Sequence, residues 1–300
     1  MYEANIEWAL NAYRQSRARL PDAVFPERSE YVSDLSQLAN RFDIFLLDAF
    51  GVLNIGETAI EGVAERIRQL RALGKKVAVV TNAAGYPASH LHGRYHRLGF
   101  SFSEEEVFSS RATLLREISG MQVSRWGIIA HPKFGFDELP EPFELLTDDP
   151  ETYERVDAIL MLGASAWNDE RQKLLVRSIA ANPRPVLVGN PDIVAPYEGG
   201  LSREPGYYAH LLADETGCSP LFFGKPFANV FTYAMSVLGG ETPPNRILMV
   251  GDTLHTDILG GRAVGFKTAL VTGYGFFGGA DPEPAIRQTG LVPDFIMPRP

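Results

Sequence analysis

Apolar positions fall along this chain in two alternating patterns. Short solid runs, such as "FDIFLL" (42–47), "KVAVV" (76–80) and "RILMV" (246–250), alternate with longer stretches apolar on one helical face only. Solid runs of four to six residues predict strands buried on both faces. The one-faced stretches predict the helices that cover them.

In chain order, Ile6, Leu10 and Tyr13 lie near helical spacing and predict an N-terminal helix. The Pro-punctuated "RLPDAVFPERSEYVSD" reads as a linker, and a short helix around 35–40 leads into the strand at 42–47. Ile60, Val63, Ile67 and Leu70 share one helical face, and Gly74 supplies the stop. "KVAVVTN" predicts a second strand, residues 90–98 a helix ending at Gly99, and "EEVFSSRATLLREI" a short strand and another helix. The rhythm restarts after residue 120 with "RWGIIA", "FELLTD", "DAILMLG" and "RPVLVGN", plus a helix over 169–181, and predicts a second α/β unit. A third block begins at "SPLFFGKP", continues through a helix at "FTYAMSVL", and adds strands in "RILMVGD", "KTALVTG" and "PDFIM". Prolines around the last of these predict an edge strand. The alternation as a whole predicts parallel α/β architecture.

Composition changes this picture little. The chain is 45% hydrophobic and 22% charged, as expected of a globular enzyme. A net charge of −9 speaks against a nucleic-acid partner. Cys218 is the single cysteine, so no internal disulfide is possible. No apolar run approaches a membrane span, and the mixed-charge N-terminus does not resemble a secretory signal. The expectation is a cytoplasmic protein without membrane or nucleic-acid partners.

Candidate chemistry collects at the carboxyl ends of the predicted strands, where open parallel sheets bind ligands. Asp48 ends the first strand, Thr81 and Asn82 the second, and Asp252 the strand "ILMVGD", with Asp257 five residues on. Lys225 stands in "FGKPF" just before a helix. One polar residue after a strand is often only a helix cap. The ordered set supports phosphoryl chemistry. A carboxylate can attack phosphorus. Carboxylates and substrate oxygens can hold Mg²⁺. A lysine and a threonine hydroxyl can hold phosphoryl oxygens, with Lys225 keeping Asp48 ionised. Gly51 permits a tight turn in which backbone amides approach an anion.

"DAFGVL", "VVTN", "GKP" and "GDTLHTD" resemble the four ordered motifs of the haloacid dehalogenase (HAD) superfamily. The insertion between the second and third, and "GNPD" before "GKP", resemble its class IIA branch, phosphatases with an α/β cap. The resemblance implies a Rossmann-like parallel-sheet core over 41–121 and 219–300, with strand order 3-2-1-4-5. It implies an α/β cap over 122–218, and it leaves residues 1–40 as a helical extension that packs on the core or assists a homodimer. It implies Asp48 as nucleophile, Lys225 as its catalytic partner, and Thr81, Asn82 and Lys225 as phosphate ligands. Mg²⁺ would be held by Asp48, the Phe50 backbone carbonyl, Asp252 and Asp257, and the substrate would be a small phosphorylated metabolite.

One position departs from the resemblance. Most phosphatases of this superfamily carry a second aspartate two residues past the nucleophile as proton donor and acceptor. Here that residue is Phe50. Three readings stay open: a phosphatase that is slow, or whose substrate has a good leaving group or supplies its own proton, with a cap residue or water as a substitute carrier; a phosphate-binding module without catalysis; and a carbon–halogen hydrolase. The α/β cap and the metal-type acidic pair count against the last.

Other motifs read more plainly. His92 and His96 suit a solvated helix face, His255 a helix start, and "GYGFFGG" (273–279) a loop at the site's rim. In "NPDIVAPYEGGLSREPGYY", Tyr197, Arg203 and Tyr207 are candidates to read the non-phosphate end of a substrate, with a plain hinge as the alternative.

Overall fold

The computed structural model describes residues 5–133, 135–197 and 200–300, and of Tyr197 the backbone only. Two parallel sheets dominate. The larger has seven strands in the order Glu30–Tyr31, Phe295–Met297, Lys267–Val271, Ile247–Gly251, Ile44–Leu47, Lys76–Thr81 and Val107–Ser109. The five strands from Lys267–Val271 to Val107–Ser109 reproduce the expected 3-2-1-4-5 order. Period-two alternation sorts their side chains. Phe45, Leu47, Val77, Val79, Leu248 and Val250 face one core with Val63, Ile67 and Leu70 of the helix Val63–Ala72. Ile44, Leu46, Ala78, Val80 and Met249 face the other core with Val230, Phe231 and Ala234 of the helix Ala228–Leu238. Each buried Val, Leu, Ile, Phe or Met side chain among these contributes about 1.5–3 kcal/mol. All four residues of Ile44–Leu47 are buried, so Asp48 is the first group of that strand able to meet a ligand.

The second sheet runs Leu221–Phe222, Val186–Val188, Ala158–Met161, Trp126–Ile129 and Phe143–Leu145. The helix Asp169–Ala181 covers it, with Asn168 accepting from the Arg171 amide as its cap.

Three expectations are corrected. Leu221–Phe222 pairs with Val186–Val188 in the second sheet, so that sheet extends past residue 218. "SPLFF" is as apolar as a core strand, and only its pairing reveals which sheet it joins. Phe295–Met297 is not the edge strand, because Glu30–Tyr31 of the Pro-rich linker pairs outside it. Two paired residues carry no periodicity that a sequence reading could detect. The segment after "GNPD" also contains an antiparallel hairpin, Val194–Tyr197 with Gly200–Arg203.

The N-terminal helix Ile6–Gln15 packs on the protein. Ala9, Leu10 and Tyr13 share a core with Ile193, Leu254 and Ile258. No described helix is long and apolar enough to cross a membrane.

Candidate active site

Asp48, Asp252 and Asp257 converge at the carboxyl end of the larger sheet, each offering a carboxylate oxygen within 4.8 Å of the others. Lys225 joins them. Its Nζ donates to Asp48 Oδ1 at 2.6 Å and to Asp257 Oδ1 at 2.7 Å, and its side chain is 2% exposed. Asp257 sits in a widened turn, Leu254–Ile258, of π-helical geometry. Such turns recur at functional sites because they redirect one side chain.

Glycines make room for Asp252. Gly51 has φ +78°, and a Cβ there would lie 2.5 Å from Asp252 Oδ2. A Cβ on Gly275 would lie 1.8 Å from the same oxygen. The Gly51 amide is spent on Asn54 O within the turn, so the residue's role here is clearance for a carboxylate. The loop 273–279 does more than line a rim, since the Phe276 amide donates to Asp252 Oδ2 at 2.7 Å. Thr253 Oγ1 donates to Asp252 Oδ1 at 2.8 Å.

Asp48 and Asp257 share one ammonium while Asp252 beside them has none, and the electrostatics reflect it. Burial pushes Asp48 up to about 6 and prevails over the opposing pull of Lys225, with Asp257 adding to the rise. Burial, then Asp48 and Asp257, push Asp252 well above the usual carboxylate range. Burial also works against the charge on Lys225, but Asp257 and Asp48 outweigh it and hold its pKa above the ordinary lysine value. Lys225 favours the ionised form of Asp48, the direction expected from sequence, while burial opposes it. An oxygen-only, acid-rich cluster with surplus negative charge fits a hard divalent cation.

Thr81 Oγ1 accepts from the Ala83 amide at 3.2 Å. Asn82 is more constrained than expected. Its Nδ2 donates to Asp192 Oδ1 and to Lys225 O, both at 2.8 Å, and its Oδ1 accepts from the Lys225 amide at 2.8 Å. Both side-chain protons are engaged, which leaves the backbone for any anion.

A cavity of about 210 Å³ opens over these groups, lined by Asp48, Phe50, Thr81, Lys225 and Asp252 on one side and Asn190, Asp192 and Glu204 on the other. A wider cleft of about 600 Å³ shares Asn190 and Glu204 and reaches Tyr86, His131 and Arg203. Arg203 lies 3.6 Å from Asp169 and stands over the rings of Trp8 and Tyr207. The Tyr197 side chain lies outside the described residues. His92 bonds Phe102 O at 2.8 Å on its helix face. His255 is buried against Tyr13, ring centroids 4.3 Å apart, and is not a surface residue.

Sequence reasoning missed Asp192 and Glu204. Asp192 lies in the quoted "GNPD", but its partner Asn82 is 110 residues away. Burial pushes Asp192 up to about 8, against the Asn82 hydrogen bond and Lys225 and with the help of Asp48 and Glu204. Burial raises Glu204 as well, against its bond from Ser202.

The model of the haloacid dehalogenase-like hydrolase family matches residues 45–134, and a second HAD-hydrolase-like model matches 222–296. Glycerol-3-phosphate phosphatase of Gallus gallus is 31% identical over 285 residues, covering 87% of this chain and 90% of its own. The crystal structure of a possible sugar phosphatase of the HAD superfamily from Cytophaga hutchinsonii superposes with TM-score 0.78 at 28% identity, covering 90% of this chain and 98% of that one. Glycerol phosphate phosphatase of Mycobacterium tuberculosis, in complex with magnesium, shares the fold at TM-score 0.66 and 23% identity, over 86% and 76%.

Proposed function

The chain belongs to the haloacid dehalogenase-like hydrolases, in their class IIA branch, and from that premise we propose that it is a Mg²⁺-dependent phosphatase of a small phosphorylated metabolite with Asp48 as nucleophile. The observation that carries this reading is the bridge of Lys225 between Asp48 and Asp257, with Asp252 alongside. A non-catalytic module has no need to bury three carboxylates around one lysine at such electrostatic cost. A carbon–halogen hydrolase has no use for the cation they would hold.

In this reading residues 41–121 and 219–300 act as the core, and 122–218 with the strand Leu221–Phe222 act as the cap. Asp48, Asp252, Asp257 and the Phe50 carbonyl would hold Mg²⁺. Bound there, the ion would lower the cluster's negative charge and polarise a phosphoryl oxygen. Asp48 attacks phosphorus, the P–O bond to the leaving group breaks, and an aspartyl-phosphate forms. Lys225 aims the Asp48 carboxylate and offers its charge to the transferring group. Thr81 Oγ1 and the backbone amides after it receive phosphoryl oxygens. The wide cleft toward Tyr86, His131 and Arg203 receives the rest of the substrate.

The test is hydrolysis of p-nitrophenyl phosphate by wild type and Asp48→Asn, with and without Mg²⁺. Turnover should require both the ion and Asp48, while Asp48→Asn keeps the wild-type circular dichroism. Equal turnover in the two proteins would overturn the assignment.

A further inference from the structure

The position two residues past the nucleophile is Phe50, whose side chain carries no proton, yet an alkoxide leaving group needs one and the attacking water must lose one. The cavity contains two carboxylates outside the acidic cluster, Asp192 and Glu204. Glu204 is tied on both oxygens, from Ser202 Oγ at 2.5 Å and Asn190 Nδ2 at 3.2 Å. Asp192 is tied on one. Oδ1 accepts from Asn82, and Oδ2 makes no hydrogen bond to a described residue.

Its position is fixed from both directions. The Asp192 amide donates to Asn190 Oδ1 at 3.0 Å, and the next amide, Ile193, donates to Tyr13 Oη at 3.3 Å. Asn82 connects it to the Lys225 backbone, and the Lys225 ammonium connects that to Asp48. Among the described residues no lysine, arginine or histidine forms an ion pair with Asp192. A carboxyl so placed favours its protonated form, as a general acid must.

Resting on the phosphatase reading, we propose that Asp192 is the proton carrier of this site, in place of the residue that Phe50 supplants. In the first half-reaction Asp48 attacks phosphorus, the P–O bond to the alcohol breaks, and the alcohol oxygen takes the Asp192 proton. In the second, water attacks the phosphorus of the aspartyl-phosphate and gives its proton to Asp192. The bond to Asp48 breaks, and phosphate leaves with both carboxyl groups restored to their starting forms.

The experiment compares the full-length wild type, Asp192→Asn, Asp192→Glu and Asp48→Asn on p-nitrophenyl phosphate and on glycerol 3-phosphate as an alkyl probe, with Mg²⁺. Asp192→Asn should release one equivalent of nitrophenolate as a burst and then turn over slowly, holding a phosphoenzyme. Its turnover of the alkyl probe should fall by roughly 10²- to 10⁴-fold, and Asp192→Glu should recover part of it. A wild-type alkyl-to-aryl ratio in Asp192→Asn, or equal losses on both probes without phosphoenzyme, would overturn the proposal. Wild-type kcat across a series of leaving groups provides a check that needs no variant. A shallow dependence on leaving-group pKa is expected, and a steep one counts against any internal acid. Absence of Asp48-dependent turnover of either probe by the wild type would instead sink the phosphatase reading itself.

Discussion

Asp48 and Asp252 on one wall of the cleft, with the fully buried Asp257 beneath them, and Asp192 and Glu204 on another wall are two sets of carboxylates stabilised by different means. The first set surrounds an ammonium and carries surplus negative charge. The second has only amide and hydroxyl donors, from Asn82, Asn190 and Ser202. Carboxylates crowded beside one cation carry more negative charge than it balances and recruit another cation. Carboxylates among neutral donors in a low-dielectric pocket retain protons. In the mechanism proposed above, one wall would serve the metal and the phosphoryl group and the other proton transfer.

The contrast can be broken at several points. Lys225→Met removes the cation from the first set and leaves Asp48 and Asp257 buried and unpaired. Urea unfolding should show a loss of about 3–5 kcal/mol without added Mg²⁺, and phosphatase turnover should vanish. Phe50→Asp in the Asp192→Asn background puts a proton carrier back on the first wall. It should recover roughly 10²-fold of the lost alkyl-phosphate turnover, as measured by phosphate release. An unchanged rate would mean that the loss in Asp192→Asn was one of positioning.

A third comparison uses pH. The folded-state value for Asp192 lies at about 8, above the ordinary 3.8. The native state therefore binds the extra proton between those values. The stabilisation linked to that proton is complete below about pH 4 and is lost as pH rises through 8. Wild type should lose melting temperature relative to Asp192→Asn between pH 5 and pH 9, and a constant difference would contradict the assignment. The mildest change is Tyr13→Phe. It leaves the buried Ile193 amide without its acceptor, at a cost of about 1–3 kcal/mol. Hydrogen exchange at Ile193 should report it while turnover changes little.

Much of the larger sheet could be read from sequence because solid apolar runs end on polar residues at the same edge. "FLLD" and "MVGD" announce both the strand and the side of the sheet where ligands bind. The helix 169–181 was legible from its polar cap and one-faced pattern. Glu30–Tyr31 was not, since two residues past a proline-punctuated stretch gain their structure only from pairing with Phe295–Met297. The metal-type wall was legible because each of its residues follows a strand. Asp192 was not, because what distinguishes it from an ordinary turn residue is its enclosure and its bond to Asn82, which exist only once segments 110 residues apart meet. His255 misled for the same reason, since Tyr13 covers it from a helix more than two hundred residues upstream.

The placement of Tyr13 has a practical consequence for protein engineering. Cutting the chain at residue 41, where the family motifs begin, looks like harmless trimming. It would strip the ring from His255, remove the acceptor of the amide next to Asp192, and expose Phe295–Met297 as a raw sheet edge. Residues 5–40 serve as a back plate for the loops that carry His255 and Asp192. A shortened protein that expressed poorly or clumped would be showing the loss of that plate, and its silence in an assay would say nothing about Phe50.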